Sequence, residues 1–188
     1  CLQPSDKEEV PLKPIDTEFK NLARMYQKRE FHEAEKLAVS LTKRFPKHPL
    51  SWKVLGALLN QTGRIIESLV PMQKSVELSP IDAEAQSNLG NTLKALGKLE
   101  EAKASYERAI ALKPNYAEAH SNLGLTLQNM GRGDEAEASY EKAIALRPDF
   151  AEAHNNLANT LKALGRFKEA EASYEKAIAL RPDFAKAH

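Results

Sequence analysis

Apolar residues recur along this chain at the spacing of one helix face, in paired short stripes separated by a glycine. Residues 81–114 show the pattern most clearly. Their first stripe has the helical spacing i, i+4, i+8, i+11 and consists of Ala85, Leu89, Leu93 and Leu96. Gly97 then ends the helix where a left-handed residue is wanted. A second stripe runs from Leu99 to Ile110, and Pro114 bars its continuation. The pattern predicts a helix, a tight turn and an antiparallel helix.

This helix pair repeats with a fixed period of 34 residues. Prolines mark the period at Pro46, Pro80, Pro114, Pro148 and Pro182. Glycines mark it at Gly63, Gly97, Gly131 and Gly165. Such a period is typical of a solenoid, in which each unit is too small to bury its own core and stacks on its neighbours.

The small-residue, glycine, alanine and proline columns resemble those of the tetratricopeptide repeat family. The resemblance implies an all-α, right-handed α-solenoid of antiparallel helix pairs. Residues 15–188 are expected to form the array, with units at about 15–46, 47–80, 81–114, 115–148 and 149–182 and the start of a sixth at 183–188. Residues 1–14 hold three prolines and no periodicity, so we expect an extended, disordered tail there.

Two departures from the pattern lead to local expectations. The first unit is divergent: its turn at Arg29 has no glycine and aligns one residue short of the other turns. Pro71 falls inside a second helix, where a proline removes a hydrogen bond. We expect it near the helix start on the outer face, where a bend is tolerated.

Helix starts and histidines also have expected roles. Asn115 with Glu118, and Asp149 with Glu152, have the spacing of a capping box. His120 and His154 lie one period apart and therefore on separate units. Because neighbouring helices are roughly 10 Å apart, the two rings are too far apart to share a metal ion at about 2 Å. We interpret them as packing or surface residues.

Composition and charge narrow the classes of partner. The chain has 188 residues, 42% of them hydrophobic, and 27 basic against 26 acidic side chains. This balance gives no electrostatic reason to expect nucleic acid, and no apolar run is long enough to span a membrane. The single cysteine, Cys1, cannot form an intrachain disulfide. We favour a cytoplasmic location, with a lipid anchor on Cys1 as the alternative.

No pattern of catalytic residues appears in the chain. There is no glycine-rich phosphate loop, no H-E-x-x-H and no serine in a nucleophile elbow. The carboxylates recur with the repeat, so none is singled out as an acid or a base. We therefore expect no enzyme activity, no cofactor and no metal site.

The informative residues are those left over once both apolar stripes are assigned to packing. They share one polar face of the first helices, which in this family line the inner, concave surface. They are Ser87, Asn88, Asn91 and Lys94 in unit three, Ser121, Asn122 and Gln128 in unit four, and Asn155, Asn156, Asn159 and Lys162 in unit five. We expect this face to form a peptide-binding groove.

Three explanations fit the asparagine column at Asn88, Asn122 and Asn156. A carboxamide can pair with both the C=O and the N–H of a peptide backbone, so the column is suited to hold an extended chain. Alternatively, the asparagines hydrogen-bond between neighbouring first helices and stabilise the superhelix. Recent duplication of the units would also make the columns identical. We favour peptide binding, because polar neighbours face the same way.

A closer resemblance supports this choice. The phrases "AEAQSNLGN", "AEAHSNLGL" and "AEAHNNLAN" are similar to the arrays of O-linked N-acetylglucosamine transferases and related bacterial proteins. In that family, groove asparagines bind the backbone of protein substrates, and the carried-over residues are Asn88, Asn122 and Asn156. Val54 should interrupt the column in unit two. A chaperone-type carboxylate clamp is not expected, because Glu84, Glu118 and Glu152 occupy one of its positions.

The sequence therefore predicts a protein-interaction scaffold whose partner is a protein or peptide. One alternative is the substrate-recognition arm of a larger enzyme such as a glycosyltransferase. Another is self-assembly into a homo-oligomer through an uncapped C-terminal end. Because the repeat column should continue after Ala187 and His188, we expect the chain to be a fragment of a longer protein or one whose exposed end finds a neighbour.

Overall fold

The computed structural model describes residues 14–181, with side chains from residue 16 onwards. These residues form ten α-helices joined by short turns. The helices are α1 (Pro14–Gln27), α2 (Phe31–Arg44), α3 (Pro49–Gln61), α4 (Ile65–Leu78), α5 (Ala83–Ala95), α6 (Leu99–Leu112), α7 (Ala117–Asn129), α8 (Gly133–Leu146), α9 (Ala151–Ala163) and α10 (Phe167–Leu180). Pro14, which the sequence assigned to the tail, is the first residue of α1. The expectations for residues 1–13 and 182–188 lie outside the described part.

Glycine ends the first helix of four of the five pairs, as predicted. Gly63, Gly97, Gly131 and Gly165 have φ between 74° and 78°, a left-handed conformation that costs glycine little. This conformation lets the residue after the glycine hydrogen-bond back into the helix. The Arg64 N–H, for example, donates to the Leu59 carbonyl at 2.8 Å.

The first turn has the same length as the others, so the expected one-residue shortening is wrong. The Glu30 N–H donates to the Met25 carbonyl at 3.0 Å, which is the bond between Arg64 and Leu59 displaced by one full period. Arg29 therefore occupies the glycine position, and its φ is 60°. A non-glycine residue in this region carries backbone strain.

The two helices of a pair approach closely because small residues face large ones. A Cβ atom added to Gly90 would lie 2.7 Å from Tyr106 Cε1, and one added to Gly124 would lie 2.8 Å from Tyr140 Cε1. Both tyrosines are fully buried. The two tyrosines therefore fill the gap between the helices of their units.

The stacking of the pairs determines which side of the array is concave. Each second helix from α2 to α8 packs on its own first helix and on the first helix of the next unit, and α10 packs on α9. Successive first helices from α3 to α9 also contact one another, whereas successive second helices do not, within the residues described. First helices therefore lie at the smaller radius, on the inner side. The fold class is the predicted all-α solenoid of antiparallel helix pairs.

Pro71 is not on the outer face, as the sequence had suggested, but buried in the middle of α4. Its column in unit three is Ser105, which is also buried. This face of the second helix is covered because it packs on the following unit as well as its own. The cyclic side chain therefore fills space in an interface, at the cost of one hydrogen bond within the helix.

One side-chain column ties each turn to the helix that follows it. Trp52, Gln86, His120 and His154 each point a ring or amide nitrogen at a proline carbonyl six residues earlier, at 2.9 to 3.4 Å. For the histidines this bond requires a proton on Nε2, since a carbonyl only accepts. His120 and His154 therefore act in packing, as the sequence indicated.

Side-chain capping occurs at a different helix from the two that the sequence suggested. Helices α7 and α9 begin after Tyr116 and Phe150, and neither start has a side-chain cap. The corresponding residue before α5 is Asp82, whose Oδ1 accepts from the backbone N–H groups of Glu84 and Ala85 at 3.0 Å. The aromatic residues of the later units cannot accept this bond.

Asp82 also forms an ion pair with Lys53 of the preceding unit. Its Oδ2 accepts from Lys53 Nζ at 3.0 Å, and Glu84 accepts from the same ammonium at 2.9 Å. Burial alone would raise the pKa of Asp82, but the Ala85 N–H and Lys53 hold it below its ordinary value. Burial alone would lower the pKa of Lys53, but the two carboxylates raise it.

We expect Asp82→Ala to destabilise the array by about 1–2 kcal/mol at neutral pH, because the helix cap and one partner of Lys53 are lost. Since the pKa of Asp82 is lowered on folding, its contribution is complete above about pH 4 and disappears as the pH falls through the folded-state pKa. Urea denaturation of both proteins over this range measures the difference. Glu84→Ala removes only the more exposed partner and should cost less than about 0.5 kcal/mol. A difference independent of pH would contradict this role.

Candidate functional site

The predicted groove residues belong to α5, α7 and α9, the inner helices of units three to five. Their positions repeat every 34 residues, so each unit contributes one residue to each column. The ladder column contains Asn88, Asn122 and Asn156. The neighbouring column contains Asn91, Leu125 and Asn159, one turn further along each helix.

The ladder asparagines are partly buried, and their carboxamides are mostly unused. Within residues 14–181, no hydrogen bond joins the Asn88 or Asn156 carboxamide to another group. Asn122 Oδ1 accepts one long bond, 3.4 Å, from Lys94 Nζ. The three side chains therefore do not bond to one another. Among the described residues, the interhelical role considered for them is supported only by this long bond between Lys94 on α5 and Asn122 on α7.

Threonine hydroxyls keep the backbone under the ladder in place. The Thr92 hydroxyl donates to the Asn88 carbonyl at 3.2 Å, and Thr126 does the same to Asn122 at 2.8 Å. All three threonines of this column, including Thr160, are buried. The asparagine side chains thus project from a rigid helix while their own amides stay available.

The neighbouring column is held by tyrosines instead. The Tyr106 hydroxyl donates to Asn91 Oδ1 at 2.7 Å, and the Tyr174 hydroxyl donates to Asn159 Oδ1 at 2.6 Å. Burial raises the pKa of Tyr106 well above its ordinary value, so the hydroxyl stays a donor. These bonds orient the two asparagines and leave their amide N–H groups as donors.

Unit four achieves the same orientation with different residues. Leu125 stands where the other units have asparagine, and the Tyr140 hydroxyl donates to Gln128 Oε1 at 3.1 Å, one turn further on. Burial raises the pKa of Tyr140 as well. Gln128 is therefore fixed by a buried donor, while its amide N–H groups remain on the inner side.

Two predicted residues do not face the groove. Ser87 and Ser121 are 2% and 6% exposed, because their helix face turns toward the start of the next unit. The Ser87 side chain lies near the Tyr116 hydroxyl there and lowers the pKa of that group, against the larger effect of burial, which raises it. Asn155, in the same column, is only partly buried. The serines therefore support the packing of units, and a ligand in the groove would not reach them.

Lys94 and Lys162 supply positive charge on the inner side. No carboxylate lies within ion-pair distance of either ammonium among the described residues. Burial lowers the pKa of Lys94, and the charge of Glu152 partly opposes that effect. Lys162 is exposed. Both cations are thus available to a carbonyl or a carboxylate of a ligand.

Unit two interrupts the ladder, as the sequence predicted. Val54 takes the column position and is 5% exposed. Asn60, further along α3, has a partner for each polar atom: its Nδ2 donates to Thr92 Oγ1 at 2.8 Å and its Oδ1 accepts from Ser68 at 2.6 Å. The ladder position of this unit therefore offers no carboxamide to a ligand, and Asn60 serves the fold.

The sequence missed a cleft of about 280 Å³ beside this interruption, where α1 ends against α3 and α5. It is lined by Tyr26, Ala57, Asn60, Gln61, Ile65, Met72, Asn88 and Asn91. Tyr26 belongs to the divergent first unit, whose alignment was one residue out. Its approach to Gln61, 3.3 Å between the hydroxyl and Nε2, could therefore not be foreseen.

A larger hollow of about 500 Å³ lies on the outer surface beside α2. The guanidinium of Arg64 on its wall is already paired with Glu35 at 2.6 Å and Glu67 at 2.7 Å. The other cation on its wall, Lys36, contacts Glu33. The hollow therefore presents little unpaired charge to a ligand.

Neither metal nor membrane features mark the described part of the chain. Within residues 14–181, no cluster of three or more His, Cys, Asp or Glu side chains could hold a metal ion. None of the ten helices in this range is both long and apolar enough to cross a bilayer.

Three family models match the chain. One, described as a TPR repeat, matches residues 90–131. Two others, described as tetratricopeptide repeat, match residues 115–183 and 72–104. Together they cover the three most regular units. No curated protein sequence matches the chain significantly.

Solved structures share the fold over most of their length. The crystal structure of MamA has a TM-score of 0.77 at 26% identity, covering 94% of this chain and 99% of that one. TTC0263, a thermophilic TPR protein in Thermus thermophilus, has a TM-score of 0.71 at 26% identity, covering 89% and 91%. YrrB, described as a TPR protein with an unusual peptide-binding site, has a TM-score of 0.73 at 20% identity, covering 88% and 86%. This last likeness concerns the fold.

Proposed function

Because the chain belongs to the tetratricopeptide repeat family, whose members bind proteins or peptides, we propose that it is an interaction scaffold that binds an extended peptide segment along its inner face. One observation carries the proposal. The ladder carboxamides of Asn88, Asn122 and Asn156 are held on rigid helices with almost no hydrogen-bond partner of their own among the described residues.

The spacing of the ladder suits an extended backbone. Helices in contact are about 8–10 Å apart, and an extended chain advances about 3.3 Å per residue. Successive asparagines would therefore meet about every third residue of the segment. Each carboxamide can accept from a peptide N–H and donate to a peptide C=O.

Contacts of this kind read the backbone and not the side chains. The ladder alone should therefore bind many sequences with modest affinity. Lys94 and Lys162 add donors that favour carbonyl or acidic groups near units three and five. Preference for one segment over another would come from such flanking groups.

The test is to replace all three ladder asparagines by alanine. We expect peptide affinity to fall at least about tenfold, since several hydrogen bonds are lost at once. Helicity and melting temperature should stay nearly unchanged, because the carboxamides do not support the fold. The probe is a displayed library of random peptides of about twelve residues, enough to reach three helices. Affinities of selected peptides are then measured by fluorescence anisotropy.

A matched control replaces two exposed asparagines by alanine, Asn115 in a turn and Asn129 at the end of α7, and should not change affinity. A library that yields no binder dependent on the ladder would overturn the proposal. So would a large loss of stability in the triple variant, since it would show that the asparagines support the superhelix.

A further inference from the structure

The cleft beside unit two exists because two small changes remove bulk and polarity from the inner face. Ala57 stands in the column where other units have Asn91, Leu125 or Asn159. Met72 stands where they have a tyrosine, and it packs on Gly56 with no exposure to solvent. The base of the cleft is therefore apolar, and it contains no tyrosine hydroxyl that would require a partner.

The rim of the cleft, by contrast, holds uncharged hydrogen-bonding groups with unused capacity. The Tyr26 hydroxyl accepts from Gln61 Nε2 at 3.3 Å, so its own proton is free to be donated. Gln61 Oε1 has no donor among the described residues. Asn91 Oδ1 is occupied by Tyr106, which leaves two N–H donors on its nitrogen.

No side chain with a formal charge lines the cleft within the described part of the chain. The nearby cation Lys53 is already held by Asp82 and Glu84. Burial and the charge of Glu84 raise the pKa of Tyr26, so its hydroxyl remains a neutral donor. A charged side chain entering the cleft would lose hydration without gaining an opposite charge.

From this geometry we propose that the cleft binds an uncharged carboxamide side chain, glutamine or asparagine, of the segment lying in the groove. The inference rests on the peptide-binding function proposed above and adds the side chain that the groove selects. The aliphatic stem lies on Ala57 and Ile65, above the buried Met72. The carboxamide oxygen accepts from the Tyr26 hydroxyl or Asn91, and the nitrogen donates to Gln61.

Methionine and glutamate side chains match the cleft less well than a carboxamide side chain. A methionine of similar shape would cover the base but leave the donors of Tyr26 and Asn91 unpaired, which is costly in a partly buried site. A glutamate has the shape of glutamine but brings a charge that nothing in the cleft neutralises. Asn88 lies on the same rim and stays free for the peptide backbone, so the cleft and the ladder act together.

The experiment compares three nearly isosteric peptides. Library selection as above should enrich glutamine or asparagine at one position of the aligned binders. In a selected peptide, changing that residue from Gln to Glu or from Gln to Met should weaken binding about tenfold each. Equal affinity of the three peptides would overturn the cleft assignment.

Two variants of the protein assign the effect to the cleft. Ala57→Asn fills the base with the residue found in units three and five and should abolish the preference for glutamine. Tyr26→Phe should reduce several-fold the ratio of the affinity for the glutamine peptide to the affinity for the methionine peptide. The matched control, Leu125→Asn, introduces the same side chain in the same column two units away and should leave the preference intact. If Ala57→Asn leaves it intact too, the cleft is not the selective site.

The outcomes separate this inference from the broader function. One outcome is a set of binders that depend on the ladder asparagines and yet show no preference for glutamine or asparagine at any position. That result would support groove binding and overturn the cleft assignment. Absence of ladder-dependent binders would overturn both. Circular dichroism of each variant verifies that it is folded as the wild type, so a loss of binding reports on the site itself.

Discussion

Replacing Tyr140 by alanine should destabilise the array by about 3–5 kcal/mol, the range for deleting a large buried aromatic side chain. Tyr140 is fully buried against Gly124. The hydroxyl that orients Gln128 is lost as well. Guanidinium denaturation followed by circular dichroism measures the loss.

The position of Tyr140 near the middle of the array gives this variant a second signature. In a solenoid each unit is stabilised by its neighbours, so a weakened unit four should uncouple unit five. Hydrogen exchange should show faster opening in α7 to α10 than in α3 to α6. Tyr174→Ala is the matched control: Tyr174 is only partly buried and faces Ala158, so its loss should cost less. Equal losses at Tyr140 and Tyr174 would contradict this view of the packing.

The reverse change on the facing helix should also destabilise the array, though less. Gly124→Leu inserts a side chain where even a Cβ atom would lie 2.8 Å from Tyr140 Cε1. Overpacking of this kind costs about 1–3 kcal/mol and occasionally more. We expect a cost at the upper end, because α7 and Tyr140 leave no room for a side chain at residue 124. The same denaturation experiment applies.

The double variant Gly124→Leu with Tyr140→Ala should lose much less stability than the sum of the losses in the two single variants. Unit one already has this arrangement: by the register of its turn, Leu22 takes the glycine position and Ala38 the tyrosine position, and both are fully buried. We expect a favourable coupling of about 2–3 kcal/mol in a double-mutant cycle. Additive losses would mean that a leucine at residue 124 does not fill the space left by Tyr140, and would contradict this prediction.

The periodic features of the fold could be predicted because they depend on local rules. Gly97 and its counterparts mark turns since the left-handed conformation excludes most other residues. The apolar stripes mark packing faces since a helix repeats every 3.6 residues. The same reasoning placed Asn88, Asn122 and Asn156 together on the inner side, because residues one period apart occupy equivalent positions.

The errors arose where a residue's environment depends on a neighbouring unit. Ser87 and Ser121 share a polar face with the ladder asparagines, but the next unit covers them. The bend that a proline causes predicts an outer-face position for Pro71, yet Pro71 is buried in α4, which packs on α3 and on α5 of the following unit. Helical periodicity describes one helix and does not specify how far its neighbour extends over it.

The sequence by itself predicted the helix pairs of the described residues, the turns inside them and the shared column of Asn88, Asn122 and Asn156, because each follows from a 34-residue period and from backbone conformations that few residues tolerate. Only the tertiary structure decided which carboxamides remain free. Tyr106 and Tyr174 reach across to occupy Asn91 and Asn159, whereas no side chain of residues 16–181 hydrogen-bonds to the Asn88 carboxamide. The cleft at Ala57 likewise depends on where α1 ends, since a hydrogen bond between Tyr26 and Gln61 requires two units to meet in space.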